Sequence, residues 1–203
     1  MVVPPLHHGR MQLISKQSLR RSLREARRDH VAAIPDTVRA LLFKRPPGPL
    51  FSLIPDGAVI GLYHARDAET PMASYGRFFL EAGHTLALPR MDDEGAMEFR
   101  RHTDPFEHSD LFEGAHGIMQ PAADAELTTP DVLFVPLLGF TAAGARIGQG
   151  GGHYDRWLAS HPESIAIGLA WDGQLVDAMP MEPHDMPLRA IVTPTRLYGP
   201  FDA

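Results

Sequence analysis

The chain has no cysteine, which excludes disulfides, thiolate metal sites and cysteine nucleophiles. It also lacks any apolar run near the roughly 20 residues that a membrane-spanning helix requires. Met1 to Met11 hold prolines and histidines but no apolar segment of the kind that opens a secretory signal. Residues 1–14 are therefore expected to be a disordered leader, with Met11 an alternative start, ahead of a single domain over 15–203. With no export signal, a cytoplasmic location is expected. Several catalytic signatures are missing too. There is no Gly-x-Ser-x-Gly elbow, and the 11 histidines show no His-Glu-x-x-His or other zinc spacing. No glycine loop ends in Gly-Lys-Ser/Thr, so a Walker A site is excluded. Internal repeats and low-complexity tracts are absent.

What is present suits a globular protein with one substantial core: 203 residues, 44% hydrophobic and 22% charged. The net charge of −6 conceals an asymmetry. Arg10 to Arg45 carries ten Lys/Arg against three acids, leaving nine basic and 22 acidic residues elsewhere. A basic first helix on an acidic body could bind nucleic acid, dock on the body or reach an anionic ligand. No nucleic-acid motif or aromatic platform accompanies it.

Ser15 is a candidate N-cap for a helix to about Asp29. Leu19, Leu23 and Ala26 recur at helical spacing toward a core, beside a stripe of Lys16, Arg20, Arg24 and Arg27. A shorter helix is expected over Asp36 to Lys44, before Pro46-Pro47-Gly48-Pro49. Strands are predicted at Ala58–Tyr63, Thr85–Leu88, Asp131–Val135, Ser164–Ala170 and Ala190–Thr193. Helices are predicted at 71–82, closed by Gly83, and at Tyr154–Ala159. Residues 91–130 offer only one hairpin strand, at Met97–Arg100. Strands alternating with helices predict an α/β fold with a parallel sheet, whose ligands bind beyond the strand C-terminal ends.

The segment Gly144-Ala145-Arg146-Ile147-Gly148-Gln149-Gly150-Gly151-Gly152-His153-Tyr154-Asp155-Arg156 carries the most chemistry. It follows the apolar run ending Phe134-Val135-Pro136 and precedes a helical pattern. Glycines let backbone amides close on an anion, and a helix N-terminus adds partial positive charge. His153 stands where the last glycine of a dinucleotide fingerprint would be. Arg146 could neutralise phosphate charge, and Asp155 could hold magnesium bridging phosphates. The alternative is a flexible loop in which Asp155 complements the helix dipole. Lys16 and Arg20 could both reach a phosphate chain, or form a solvated basic face. Glu69 follows the strand Ala58–Tyr63 and could sit at the site, or open the next helix. His184-Asp185 could ligate magnesium or organise a proline-rich turn.

Together these pieces resemble the 5-formyltetrahydrofolate cyclo-ligase family, also called 5,10-methenyltetrahydrofolate synthetases, from Lys16 to about Thr193. The likeness is strongest over Phe134-Val135-Pro136, Gly139-Phe140 and Gly144 to Asp155. It is supported by Lys16 and Arg20, Glu69, Leu88-Pro89-Arg90, Ile167-Gly168-Leu169-Ala170, and Glu182 with His184-Asp185. The resemblance implies a single-domain, three-layer α/β/α fold of the NagB/RpiA/CoA-transferase kind with a mainly parallel sheet, and a monomer. It implies conversion of 5-formyltetrahydrofolate to 5,10-methenyltetrahydrofolate with ATP and magnesium, releasing ADP and phosphate. It assigns catalysis to Arg146, Tyr154 and Asp155. ATP would lie against Lys16, Arg20, Arg146, Gly148, Gln149, Gly150, Gly151, Gly152, His153 and Tyr154. Glu69 would hold the pterin ring, with Tyr63 and Trp171 as pocket walls and His153 and Tyr154 orienting the substrate. Asp155 and Asp185 would bind magnesium.

Three departures accompany the resemblance. His153 replaces the first of the family's paired tyrosines, Gly151 occupies a loop position that is often basic, and Leu188-Arg189 with Thr193-Pro194 stand where acids are usual. A non-catalytic paralogue that binds folate or nucleotide is the alternative reading.

Overall fold

The computed structural model describes residues 15–39, 41–92, 94–114 and 117–202; the expected leader lies outside them. Helix α1 (Lys16–Ala33) starts where Ser15 caps it, its hydroxyl accepting the Ser18 amide N–H at 3.2 Å. Such a bond satisfies one of the donors a helix start leaves unpaired. The helix passes the expected end at Asp29 because Val31 extends its buried row by one more turn. That row is Leu23, Arg27 and Val31, spaced four residues apart and so stacked on one face. Ala26, expected in the core, is exposed; the buried position beside it belongs to Arg27.

Helix α2 (Asp36–Arg39) is shorter than expected. Phe43 has a φ of 56°, which no right-handed helix accommodates. Its ring turns inward onto Trp171, centroids 5.3 Å apart, and Tyr75 at 6.3 Å. A short 3₁₀ helix over Gly48–Leu53 follows.

Along the chain come β1 (Val59–Gly61), α3 (Ala73–Glu81), β2 (Thr85–Met91), β3 (Met97–His102) and the hairpin β4 (Leu111–Glu113) and β5 (Met119–Pro121). Then follow β6 (Val132–Pro136), the hairpin β7 (Gly139–Phe140) and β8 (Arg146–Ile147), α4 (His153–Ser160), β9 (Ile165–Leu169), β10 (Ala190–Val192) and β11 (Leu197–Tyr198). Seven of these strands form one sheet in the order β11-β10-β9-β6-β1-β2-β3. The neighbours from β10 through β9, β6 and β1 to β2 run parallel. The edge strands β3 and β11 are antiparallel, so the sheet of this α/β fold is mixed.

Alternation along the central strands sends side chains to two cores. Ile60, Val132, Phe134 and Ile167 pack with Tyr75 and Phe79 of α3 and Val31 of α1. Leu133, Val135, Ala166 and Ile191 pack on the other face with Trp157 and Leu158 of α4. Phe134 touches both α3 rings, 5.7 Å from Tyr75 and 5.7 Å from Phe79. Strands with apolar residues on both faces are what a buried parallel sheet requires. Among the described residues no helix is long and apolar enough to cross a membrane.

The stretch 91–130 holds more structure than its sequence suggests. β3 runs to His102 and pairs with β2 as far as Met91. The turn between them closes through Asp92, whose carboxylate accepts the amides of Glu94 and Ala96. The hairpin β4–β5 forms a separate two-stranded sheet.

Candidate active site

The loops after β1, β2, β6 and β9 leave the C-terminal ends of parallel strands, where α/β sheets bind ligands. The glycine loop reaches this end through β8 rather than directly from β6. Gly150 and Gly152 have φ of 111° and 65°, a conformation open to glycine with little strain. Gly152 caps α4, which begins at His153.

Helix α1 lies along this loop and grips it. The Arg20 Nε donates to the Gly148 carbonyl at 3.0 Å. The Arg24 Nε and Nη2 both donate to Gln149 Oε1 at 3.2 Å. One turn earlier, Lys16 Nζ donates to both oxygens of Asp185, at 2.6 and 2.8 Å, and to Glu182 Oε2 at 2.8 Å. The basic stripe therefore faces the protein's own loops rather than solvent. Burial works against the Lys16 charge, but the hydrogen bonds and charges of Asp185 and Glu182 outweigh it and raise its pKa. Burial likewise opposes the Asp185 charge, yet the Lys16 bond and the Glu182 amide hold its carboxyl below the ordinary range.

Arg146 is 6% exposed. Its Nη2 donates to Asp155 Oδ1 at 2.6 Å, and its Nε is buried without a hydrogen-bond partner. Burial lowers its pKa, and the charges of Asp155 and Asp185 partly restore it. Asp155 Oδ1 also accepts the Met186 amide at 3.1 Å, which brings Asp155 beside the 182–185 loop. Ligand atoms of Glu182, His184 and Asp185 lie within 4.8 Å of one another, with His184 Nε2 3.2 Å from Glu182 Oε2. Carboxylate oxygens gathered in this way are the donors a hard cation such as magnesium takes.

Loop, helix and strand ends enclose a cavity of about 370 Å³. Tyr63, Glu69 and Tyr154 also line it. Tyr63 is buried; its hydroxyl donates to the Thr70 carbonyl at 3.0 Å and is hydrogen-bonded to the Thr70 hydroxyl. Burial pushes its pKa well up. The Tyr154 phenol is raised by burial and then by the charge of Glu69. Glu69 Oε2 accepts the Arg66 amide at 3.1 Å, and Oε1 lies 3.8 Å from Arg27 Nη1. His153 turns its Nδ1 to Arg156 Nη2 at 3.0 Å; burial, then the Arg156 charge, lowers its pKa. A Cβ at Gly151 would fall 2.6 Å from the His153 ring, so the two departures at this loop fit each other.

Trp171 does not line the cavity. It is 1% exposed, packs edge-on to Phe43, and donates its indole N–H to the Ala68 carbonyl at 2.9 Å. Its residue type suited a folate wall, but its place after β9 puts the ring in the core beneath the Glu69 loop. The remaining expected residues, Lys16, Arg20, Tyr63, Glu69, Arg146, Gly148 to Asp155 and Asp185, all border the one cavity.

Sequence reasoning missed a wall made of Arg90, Met91, Ile118, Met119 and Gln120. Arg90 Nη1 donates to the Pro121 carbonyl at 2.9 Å, and Gln120 Oε1 accepts the Met91 amide at 3.3 Å. These bonds dock the β4–β5 hairpin on the end of β2. The one sequence cue was the apolar pair Ile118-Met119, too short to read as a strand.

One cavity thus brings together a buried arginine, a glycine loop, the carboxylates of Glu69, Asp155 and Asp185, and the side chains of Tyr63, Tyr154, Met91 and Met119. Residues 12–194 match the family of 5-formyltetrahydrofolate cyclo-ligases. The 5-formyltetrahydrofolate cyclo-ligase of Mycolicibacterium smegmatis is 30% identical over 189 residues, 90% of this chain and 95% of that protein. The Escherichia coli K12 enzyme of the same name is 41% identical over 87 residues, 40% of this chain. That match spans 48% of the E. coli protein, about half its length. Among solved structures, the 5,10-methenyltetrahydrofolate synthetase of Aquifex aeolicus superposes with a TM-score of 0.62 at 24% identity, covering 94% of this chain and 87% of that one. The Mycoplasma pneumoniae synthetase gives 0.64 at 20% identity, covering 87% and 97%; at these identities the likeness is one of fold. The chain belongs to the 5-formyltetrahydrofolate cyclo-ligase family.

Proposed function

We propose that this protein is a single-domain, cytoplasmic and monomeric enzyme that converts 5-formyltetrahydrofolate to 5,10-methenyltetrahydrofolate, consuming ATP and releasing ADP and phosphate. The observation that carries this reading is the shared cavity, bordered by Arg146, Gly148–Gly152, Glu69 and Tyr154 together. Family membership supports the reaction, and one cavity bordered by both sets of residues supports a shared site. The three-layer arrangement implied by the family accords with helices packed on both faces of the sheet.

In the proposed reaction the N5-formyl oxygen attacks the γ-phosphorus of ATP and the bond to ADP breaks. N10 then attacks the activated formyl carbon and loses its proton, and phosphate departs with the C–O bond as the ring closes. Phosphorylation turns an oxygen that leaves poorly as hydroxide into a good leaving group. The protein's tasks are therefore alignment and charge neutralisation. Lys16, Arg20 and Arg146 would meet phosphate oxygens, with the loop amides completing the cradle. Glu69 would receive the pterin's donor edge, and Tyr154 would lie between the two substrates. Asp155 and Asp185, with Glu182 beside them, would hold magnesium, which neutralises phosphate charge when bound.

The basic stripe of α1 gives little support to nucleic-acid binding, because Lys16, Arg20, Arg24 and Arg27 all engage other parts of the chain. The test is ATP-dependent appearance of the methenyl absorption from 5-formyltetrahydrofolate. A folded protein that binds ATP and folate yet forms no product would instead be the non-catalytic paralogue.

A further inference from the structure

Among the residues assigned to folate, Glu69 alone carries a full charge, and its direction has to be fixed. The backbone around it is pinned on both sides. The Ala68 carbonyl accepts the Trp171 indole N–H at 2.9 Å, and the Thr70 carbonyl accepts the Tyr63 hydroxyl at 3.0 Å. Glu69 Oε2 takes the Arg66 amide. None of these contacts restrains Oε1, and among the described residues its ion pair is with Arg27 Nη1 at 3.8 Å.

Arg27 is an odd residue for its position. It is 5% exposed, stands in the buried row between Leu23 and Val31, and does not border the cavity. A leucine there would simply extend the apolar face. A guanidinium buried without counter-charge is strongly unfavourable, and the Nε of Arg27 has no hydrogen-bond partner. Glu69 is the acid with which it pairs. At 3.8 Å the two attract through a poorly screened interior without forming a hydrogen bond. The lone pairs of Oε1 thus stay available to donors arriving from the cavity. A closer cation such as the one on Asp185 would have consumed them.

We propose that Arg27 is a positioning residue for the folate side of the site: from behind, it holds the Glu69 carboxylate toward the cavity while leaving its acceptor capacity free. The proposal rests on the reading of Glu69 as the residue that receives the pterin. A structural role alone would weaken both substrates equally or only lower stability. A positioning role acts on one substrate and only through Glu69.

The test is a double-mutant cycle in the full-length protein, with Arg27→Met, Glu69→Gln and the pair. Michaelis constants for 5-formyltetrahydrofolate and ATP are measured by cyclisation, and 5-formyltetrahydrofolate affinity without ATP by calorimetry. Arg27→Met is expected to weaken folate binding about tenfold, within the range for residues in contact, with the ATP constant and the rate at saturating folate changed less than about twofold. Arg27→Lys should recover part of the loss, and in the Glu69→Gln background Arg27→Met should add nothing. Should Arg27→Met fail to fold, Arg27→Gln takes its place in the cycle. Folate affinity that falls in Glu69→Gln but not in Arg27→Met, equal losses for both substrates, or additive losses in the pair would each overturn the role of Arg27. Unchanged folate affinity in Glu69→Gln would instead overturn the reading of Glu69 itself.

Discussion

Lys16 rests its ammonium on the carboxylate of Asp185, 2.6 and 2.8 Å from the two oxygens. The cation proposed to meet ATP and the carboxylate proposed to meet magnesium thus neutralise each other. Arg146 and Asp155 repeat the arrangement at 2.6 Å. On the proposed function, loading the site with magnesium and ATP would exchange these partners: Asp185 and Asp155 would hold the metal, and Lys16 and Arg146 would meet phosphate.

Asp185→Asn tests this exchange. It frees Lys16 from its counter-charge and removes a proposed metal ligand. Magnesium-dependent turnover should fall by about 10- to 100-fold, the usual range for groups that hold or orient a metal. ATP binding measured in a chelator should tighten at the same time, because a freed ammonium and one less negative charge both favour the nucleotide. Unchanged or weaker metal-free ATP binding would show that Lys16 is not held back by Asp185.

Gly151→Ala tests the fit between the loop's two unusual residues. The added Cβ would meet the His153 ring at 2.6 Å, so the ring must swing off its contact with Arg156. The loop is at the surface and the ring can move, so stability should change by less than about 1 kcal/mol. The Michaelis constant for ATP should rise about three- to tenfold, equivalent to about 1 kcal/mol. Unaltered ATP kinetics would detach the His153 orientation from nucleotide binding.

Trp171→Phe separates loop support from substrate contact. The variant keeps an aromatic ring in the core but loses the bond to the Ala68 carbonyl. Stability in urea should fall by about 1 kcal/mol or somewhat more, because a buried carbonyl loses its donor. The folate constant should rise only a few-fold. Wild-type stability with folate binding abolished would return Trp171 to the pocket wall.

Acid should loosen the fold near the site. His64 leaves β1 beside the cavity and meets His108 edge-on at 5.4 Å; His108 in turn stacks on His102 at 5.6 Å. Burial, then the neighbouring histidines, depresses the His64 pKa below its ordinary value of 6.5. Burial also depresses that of His102, though Asp110 partly offsets it. A group with a depressed folded-state pKa is protonated first in the unfolded chain, so unfolding takes up protons. Stability should be level above about pH 7 and fall as pH drops through 6.5. Thermal melts between pH 8 and 5 should show this decline, reduced in His64→Leu. A flat profile over that interval would contradict it.

The glycine loop was legible because four glycines in five residues, flanked by Arg146 and Asp155, are more than a turn needs and suit an anion. The apolar strands were legible from their unbroken apolar runs, and their parallel direction from alternation with helices; their order in the sheet was not. The inward aim of α1's cations was not, since Lys and Arg at helical spacing ordinarily face water. Only the family resemblance pointed to Lys16 and Arg20; the tertiary fold, which lays the helix along two loops, turns them inward and buries Arg27. Trp171 misled by its type, as an aromatic suits a flat ligand and a core equally. The β4–β5 wall escaped notice because its strands span three residues each, too few for any period to show.

The cyclisation assay is the most direct measurement: 5-formyltetrahydrofolate with the protein, with and without ATP and magnesium, following methenyl absorption together with ADP and phosphate. The account predicts product only when both are supplied, with one ADP and one phosphate formed for each methenyl group. No product from folded protein that binds both substrates, or product formed without ATP, would contradict it.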